Sequence, residues 1–323
     1  MQGRAPPDPA PHPSKLTGRR AKLTMTPYAT QGTLTPTPPF DFDKSLDFLG
    51  FFAPMEGEQT LTARALAKAV LIHGQILVFE IAVSGSIEQP HLDYTLHSDR
   101  PISDTTRAAA EDRIAFFLSL RDDLRPFYAI GWDDPPFAPV IQRLYGYHQV
   151  KFLTPFENAC WAVLTQRTPI PIAKKLKHAL VERFGARLPV GDQRYSAFPE
   201  PARLAAADPA ELLELVGNPR RAEYLQAAAR AFSGTDEAWL RAAPYAEVED
   251  WLRAIKGLGA WSATFVLLRG LGRMDQLPVG EARLGEAAAK VYGRALLDTE
   301  LAAIAERYGA YRGYWAHYLR VGA

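Results

Sequence analysis

The stretch Val248–Gly270, VEDWLRAIKGLGAWSATFVLLRG, decides the fold of the second half of this chain. Its first part has apolar residues at the i, i+3, i+4 and i+7 spacing of a single helix face, namely Val248, Trp251, Leu252 and Ile255. A glycine-containing corner follows at Ile255–Gly259, and a second apolar run begins at Ala260. The pattern therefore predicts two helices joined by a very short hairpin.

The corner itself predicts a binding feature. Gly257 and Gly259 flank the aliphatic Leu258 and leave positive φ open at both ends of the turn. Leu258 is then expected to tuck between the helices, while the turn amides and the helix start at Ala260 face outward as a phosphate-sized anion site. Lys256 adds a positive charge beside it. These residues are equally compatible with a glycine-rich corner that binds nothing.

Composition excludes several classes of protein. The 323 residues are 47% hydrophobic and 23% charged, which is typical of globular domains. No apolar run approaches the ~18 residues of a membrane span, and the lone Cys160 excludes a disulfide framework and a four-cysteine iron–sulfur cluster. The net charge of +1 hides an uneven distribution, because residues 1–40 carry +4, residues 41–150 carry −7 and residues 151–323 carry +4. Such an asymmetry is a hint about binding partners and not about the fold.

The chain divides into three parts. Residues 1–38, rich in Pro and Thr, predict a disordered leader. Residues 39–150 predict an α+β domain with strands at Ala67–His73, Gln75–Ser84 and Leu92–Leu96, followed by a helix at 104–120 capped by Ser103. Residues 151–323 predict a domain that is nearly all helix. The predicted helices there are Phe156–Leu164, Ile172–Phe184, Pro209–Val216, Arg221–Phe232, Val248–Ile255, Trp261–Leu271, Ala282–Tyr292 and Asp298–Tyr308.

These motifs, taken in order, resemble the helix-hairpin-helix superfamily of DNA glycosylases, and in particular the AlkA-type 3-methyladenine DNA glycosylase II family. The resemblance rests on the hairpin with the following Trp261-Ser262-Ala263, on Leu268-Arg269-Gly270, and on the proline-containing loop that ends at Glu281. It extends over roughly residues 39–320. It implies an α+β fold: a TBP-like antiparallel-sheet N-terminal domain followed by an all-helical helix-hairpin-helix glycosylase domain.

The resemblance also implies the roles of several residues. Trp261 and Phe265, one helical turn apart, match the positions that stack a flipped base, although two such aromatics are also common in an ordinary core. Glu281 stands where the family has its catalytic aspartate, and it is one methylene longer. As an alternative, Glu281 is an ordinary acidic residue at a helix N-terminus. Some superfamily members have a nucleophilic lysine after the hairpin, whereas this chain has Trp261, which implies hydrolysis without strand cleavage.

The resemblance places the DNA contacts in two short segments. The loop Gln166-Arg167-Thr168 is expected to wedge the duplex open, and Lys256 with the hairpin residues Gly257, Leu258, Gly259 and Ala260 to hold a phosphate. Weaker candidates for phosphate contacts are Lys174, Lys175, Lys177, Arg220 and Arg221, which are equally typical of a solvated surface.

The expected protein is thus a monofunctional base-excision-repair glycosylase for alkylated purines of the 3-methyladenine and 7-methylguanine type. It is expected to act as a monomer on damaged double-stranded DNA, in the cytoplasm at the nucleoid of a bacterium, without a membrane, metal or cofactor. Two alternatives remain: a lesion-sensing DNA-binding protein that does not cleave, and a glycosylase for oxidised or deaminated bases.

Overall fold

The computed structural model describes residues 28–277 and 282–323. Its strands are β1 (Tyr28–Leu34), β2 (Gln59–Leu61), β3 (Ala65–Ile72), β4 (Gln75–Gly85), β5 (Pro90–Ser98), β6 (Ala186–Val190) and β7 (Gln193–Ala197). The first helices are α1 (Phe42–Phe51), α2 (Asp104–Phe117), α3 (Arg125–Trp132), α4 (Ala138–Leu144), α5 (Pro155–Thr165), α6 (Ile170–Phe184), α7 (Pro201–Ala205) and α8 (Pro209–Val216). The later helices are α9 (Pro219–Ser233), α10 (Glu237–Ala242), α11 (Tyr245–Ala254), α12 (Ala260–Arg269), α13 (Ala282–Tyr292), α14 (Asp298–Arg307) and α15 (Arg312–Gly322).

Five strands form an antiparallel sheet in the order β1-β5-β4-β3-β2. Alternate side chains of β3 and β4 point to its inner face, where Phe79 contacts Phe117 of α2. Ser103 caps α2 as expected, accepting a hydrogen bond from the Thr106 amide at 3.1 Å. The structure thus confirms the predicted sheet-containing N-terminal part and the helical part that follows it.

The helical part contains one β-hairpin that the sequence did not predict. Strands β6 and β7 pair in register from Ala186↔Ala197 to Val190↔Gln193. Their apolar side chains cover the outer face of the large sheet, where Leu188 and Tyr195 pack with Ala67, Ala69 and Val78. Because β6 and β7 cover the outer face of the sheet, strand β3 is buried on both faces, which explains why its sequence is almost continuously apolar.

The predicted disordered leader is also too long at its C-terminal end. Residues 28–34 form β1, which pairs along its whole length with β5, from Tyr28↔Ser98 to Leu34↔Leu92. The strand has little apolar alternation because it is an edge strand stabilised by backbone pairing. Gly32 is required there, since a Cβ atom would lie 2.3 Å from the hydroxyl oxygen of Tyr94.

The hydrophobic core crosses the boundary predicted at residue 150. Phe127 of α3 packs against Tyr308, Tyr314 and Tyr318 with ring centroids 4.9–5.9 Å apart. Helices α3 and α4 therefore join the C-terminal helices. Helix α5, buried along almost its whole length, lies between α9 and α12 and brings the hairpin against this core. In the described part of the chain, no helix has the length and apolarity that crossing a membrane requires.

Candidate functional site

The predicted hairpin connects α11 to α12 at Ile255–Gly259. Gly257 has φ +95°, and a Cβ atom on it would lie 2.2 Å from Cγ of Tyr224. A larger residue is therefore excluded by both backbone and space. Leu258 is buried between the helices, and its amide donates to the carbonyl of Ile255 at 3.0 Å. The turn thus has the predicted positive φ at Gly257, whereas Gly259 is extended with φ −84° and does not use this freedom.

The outer side of the hairpin presents backbone amides to solvent. Gly259 and Ala260 are exposed at the start of α12, and Gly259 has no side chain with which to cap it. The first-turn amides of a helix have no intrahelical acceptor, so they can bind an anion. Lys256 is exposed and forms an ion pair with Glu223, whose hydrogen bond and charge raise the pKa of the lysine.

The loop after α5 is attached to this hairpin. The side-chain amide of Gln166 donates to the carbonyl of Gly257 at 2.7 Å, and Thr168 accepts a hydrogen bond from Arg221 at 2.6 Å. Gln166 and Thr168 thus fix the loop from within. Arg167 is exposed at its tip with φ +50°, a conformation that costs a non-glycine residue about 1 kcal/mol or more. Of the three predicted loop contacts, Arg167 is the one that points outward.

A cavity of about 570 Å³ lies beside this loop. Arg167, Arg220 and Arg221 line it together with Tyr224, whose ring packs against Gly257. The expected phosphate contacts at Arg220 and Arg221 thus lie beside Arg167. The expectation for Lys177 is wrong, because its side chain is buried and bonded to Glu157 at 2.6 Å.

Trp261 and Phe265 line a larger cleft of about 800 Å³. Their rings are stacked, with centroids 5.2 Å apart and planes 13° from parallel. Phe265 packs edge-on against Phe152 at 5.9 Å, whereas Trp261 remains 53% exposed. One ring is thus anchored in the core and holds the other as a flat wall of the cleft.

The remaining walls of the cleft come from distant parts of the chain. The lining residues that sequence reasoning did not identify are Phe48, Phe51, Phe52, Leu268, Arg269, Arg283, His317, Arg320 and Val321. Phe48, Leu268 and Arg269 were noted only as parts of motifs, and nothing in the spacing of the residues indicates that α1 and α15 meet α12 here. The fold therefore supplies most of this cleft.

A buried arginine lies at the base of the cleft. The guanidinium of Arg269 lies 4.9 Å from the ring centroids of both Phe48 and Phe52, and its Nη1 donates to Nδ1 of His317 at 3.4 Å. Burial lowers the pKa of Arg269 to about 10, and burial together with the charge of Arg269 holds the pKa of His317 well below its ordinary value. At neutral pH the arginine is therefore charged and the histidine neutral.

The electrostatic character of the described lining is positive. Its ionisable side chains are Arg269, Arg283, Arg320 and His317. Glu281, the predicted catalytic carboxylate, lies outside the described residues. Across residues 28–277 and 282–323, no three His, Cys, Asp or Glu side chains are grouped as metal ligands would be. The described cleft can stack a flat ring with its aromatic side chains, and its positive side chains can attract the phosphates of a DNA backbone.

A helix–hairpin–helix corner beside an aromatic cleft, preceded by a five-stranded sheet domain, defines a class of DNA-repair folds. Residues 160–312 match the family model described as HhH-GPD superfamily base excision DNA repair protein. The helical part of the chain is therefore similar to the HhH-GPD superfamily, in agreement with the family resemblance found in the sequence.

Two curated relatives agree with this assignment. A DNA-3-methyladenine glycosylase of Bacillus subtilis (strain 168) is 28% identical over 191 residues, which are 58% of this chain and 63% of the relative. DNA-3-methyladenine glycosylase 2 of Escherichia coli (strain K12) is 35% identical over 125 residues, which are 37% of this chain and 42% of the relative. The chain thus spans less than two thirds of the length of these relatives.

Solved structures confirm the fold over nearly the whole chain. A 3-methyladenine DNA-glycosylase from Archaeoglobus fulgidus superposes with a TM-score of 0.74 at 19% identity, covering 90% of this chain and 97% of that one. An 8-oxoguanine glycosylase/lyase from Clostridium acetobutylicum in its apo-form superposes with a TM-score of 0.64 at 16% identity, covering 94% and 100%.

Proposed function

We propose that this protein is a base-excision-repair DNA glycosylase that hydrolyses the N-glycosidic bond of alkylated purines in duplex DNA. The observation that carries the proposal is the stacked pair of Trp261 and Phe265, which begins directly after the hairpin and forms a flat, half-exposed wall. A purine is a flat ring, and an alkylated purine carries positive charge that an electron-rich indole attracts. The names of the two curated relatives support the same substrate class.

The DNA-binding roles follow from the exposed groups. The amides of Gly259 and Ala260 bind a backbone phosphate, and Lys256 supplies charge there after exchanging Glu223 for the phosphate. Arg167 enters the duplex and fills the stack that the flipped nucleotide leaves. Gln166 does not contact DNA in this scheme. It couples the wedge loop to the hairpin through its 2.7 Å bond to Gly257, so that both elements engage one duplex together.

The chemical step is assigned to Glu281. Its carboxylate stabilises the developing oxocarbenium ion and accepts a proton from the attacking water. The bond between the base nitrogen and C1′ breaks, its electron pair leaves with the base, and the water oxygen bonds to C1′. The product is an abasic site in an intact strand, because Trp261 occupies the position of the lysine that other superfamily members use for strand cleavage. The expected form is a monomer on one duplex at the nucleoid.

The test is base release from duplexes that contain 3-methyladenine, 7-methylguanine, 8-oxoguanine or hypoxanthine, with abasic sites revealed by alkali. We expect release of the alkylated purines by the wild-type protein, no strand break before alkali, and no release by Glu281→Gln. Glu281→Asp is the matched variant, because it keeps the carboxylate and moves it by one methylene.

Three results would contradict parts of this scheme. Tight binding of lesion duplexes with no abasic sites would establish a lesion sensor, the alternative suggested by the Glu281 departure. Strand breaks without alkali would refute hydrolysis alone. Full activity of Glu281→Gln would show that another group performs the chemistry.

A further inference from the structure

Phe51 is the most exposed large apolar side chain in the described part of the chain, at 90% exposure. A single exposed apolar residue is ordinary on a protein surface. The position of this one is not, because Phe51, Trp261 and Val321 are all exposed and all line the same 800 Å³ cleft. Clustered exposure of large apolar side chains around one concave site indicates a binding function.

The neighbours of Phe51 hold it in this position. Phe48 and Phe52 pack on each other at 5.1 Å, Phe52 packs edge-on against Phe152 at 5.2 Å, and both flank the guanidinium of Arg269. Because these anchors fix the last turn of α1, the backbone at Phe51 is fixed as well. None of the ring contacts among the described residues involves Phe51 itself, so packing within the protein does not account for this aromatic side chain.

We propose that Phe51 stacks on the flipped base from the side of the sheet-containing N-terminal part and determines, with Trp261, which bases the cleft retains. This inference rests on the proposed glycosylase function. The Trp261–Phe265 wall offers one face for a planar ring, and a base held on one face only leaves its other face in water. Phe51 supplies an apolar aromatic group for that second face. A cationic alkylated base gains a second cation–π contact from it.

The proposal is tested by binding rather than by cleavage. The probes are an undamaged duplex, a duplex with 2′-fluorinated 7-methylguanosine that resists hydrolysis, and a duplex with a tetrahydrofuran abasic analogue. We expect Phe51→Ala to weaken binding of the lesion duplex about tenfold, as for the loss of one stacked base contact. Binding of the abasic and undamaged duplexes should be unchanged, since neither presents a base to stack.

Two further variants serve as controls. Phe51→Trp should keep lesion binding, whereas Phe51→Leu, apolar but not aromatic, should behave like Phe51→Ala. Leu297→Ala removes an apolar side chain that is also strongly exposed, at 70%, but does not line the cleft, and it should change none of the three affinities. Unfolding midpoints of all variants should match that of the wild type because the side chains are exposed.

The possible failures are distinct. Equal weakening on all three duplexes would overturn the proposal by showing that Phe51 contacts the DNA backbone. Unchanged lesion binding in Phe51→Ala would overturn it while leaving the glycosylase function intact. A wild-type protein that does not prefer the lesion duplex to the undamaged one would overturn both.

Discussion

Two regions of this molecule bury positive charge in opposite ways. Where the sheet-containing part meets α5 and α6, Lys177 lies 2.6 Å from both Glu58 and Glu157, and Lys68 lies 3.3 Å from Glu58. All four side chains are nearly inaccessible, and the two lysines balance the two glutamates. In the cleft, Arg269 is also buried, but its neighbours are Phe48, Phe52 and the neutral His317.

The buried ammonium group of Lys177 and the buried guanidinium group of Arg269 also differ in how completely they are hydrogen-bonded. Lys177 also donates to the carbonyl of Pro54 at 2.6 Å, so its ammonium group is well bonded. Atom Nη2 of Arg269 has no hydrogen-bond partner among the described residues. A compensated charge network joins two parts of a protein, whereas an uncompensated buried cation at a cleft raises the local positive potential at a cost in stability. The comparison predicts that the first region determines stability and the second determines function.

Of the substitutions considered, Lys177→Met should lower the free energy of unfolding the most. The substitution leaves Glu58 and Glu157 buried with only Lys68 to balance them, and breaking a buried pair in this way costs about 3–5 kcal/mol in the free energy of unfolding. Urea denaturation followed by circular dichroism measures it. Lys174→Met, one turn away in an exposed pair with Glu56, should cost less than about 1 kcal/mol. Equal costs would refute the distinction between the two lysines.

Arg269→Met should lower the activity and leave the stability nearly unchanged, in contrast to Lys177→Met. An apolar side chain of similar length removes an incompletely bonded buried charge, so the free energy of unfolding should change by no more than about 1 kcal/mol. The rings of Phe48 and Phe52 lose the cation between them, and the single-turnover rate of base release should fall about tenfold, as for a small misplacement of groups at a reaction site. If Arg269→Met is strongly destabilised but releases bases at the wild-type rate, then Arg269 serves stability and not function, contrary to the prediction.

The dependence of stability on pH should reveal the ion pairs that Lys177 and Lys68 form with Glu58. Burial acts to raise the pKa of Glu58, but the charges of Lys177 and Lys68 outweigh it and hold the pKa below its ordinary value. The stabilisation from a lowered carboxyl pKa is present above the unfolded value of 4.5 and is lost as pH falls through the folded value. When the pH falls from about 7 to 4, the free energy of unfolding of Lys177→Met should therefore decrease by about 1 kcal/mol less than that of the wild type. Parallel pH curves would contradict this assignment.

Lys256→Ala should have the smallest effect on stability. Its pair with Glu223 is exposed on both sides, and such pairs contribute about 0–1 kcal/mol. The affinity for damaged and undamaged duplexes should fall together, and the slope of log affinity against log salt should decrease by about 1. Arg121→Ala, an exposed cation paired with Asp112, is the control and should keep the slope. An unchanged slope in Lys256→Ala would remove this lysine from the DNA contacts.

Local spacing predicted most of the secondary structure, while the family resemblance predicted the fold and the base-stacking role of Trp261 and Phe265. The separation of Trp261 and Phe265 by four residues requires that they share a helix face, and Gly257 with Gly259 requires a tight turn. The strands β3 and β4 and the eight periodic helices were predicted for the same reason. The hydrogen bond from Gln166 to the hairpin was not predicted, because no spacing reports which partner a side-chain amide finds.

Three features were decided by the tertiary structure alone. Strands β6 and β7 are stabilised by the outer face of the sheet, β1 by the backbone of β5, and Arg269 by rings from the other end of the chain. Periodicity reports which side of an element is apolar, but not which other element covers it. Phe51 illustrates this limit: the sequence shows only an aromatic residue, and the packing of α1 against α12 and α15 brings it to the cleft that Trp261 also lines.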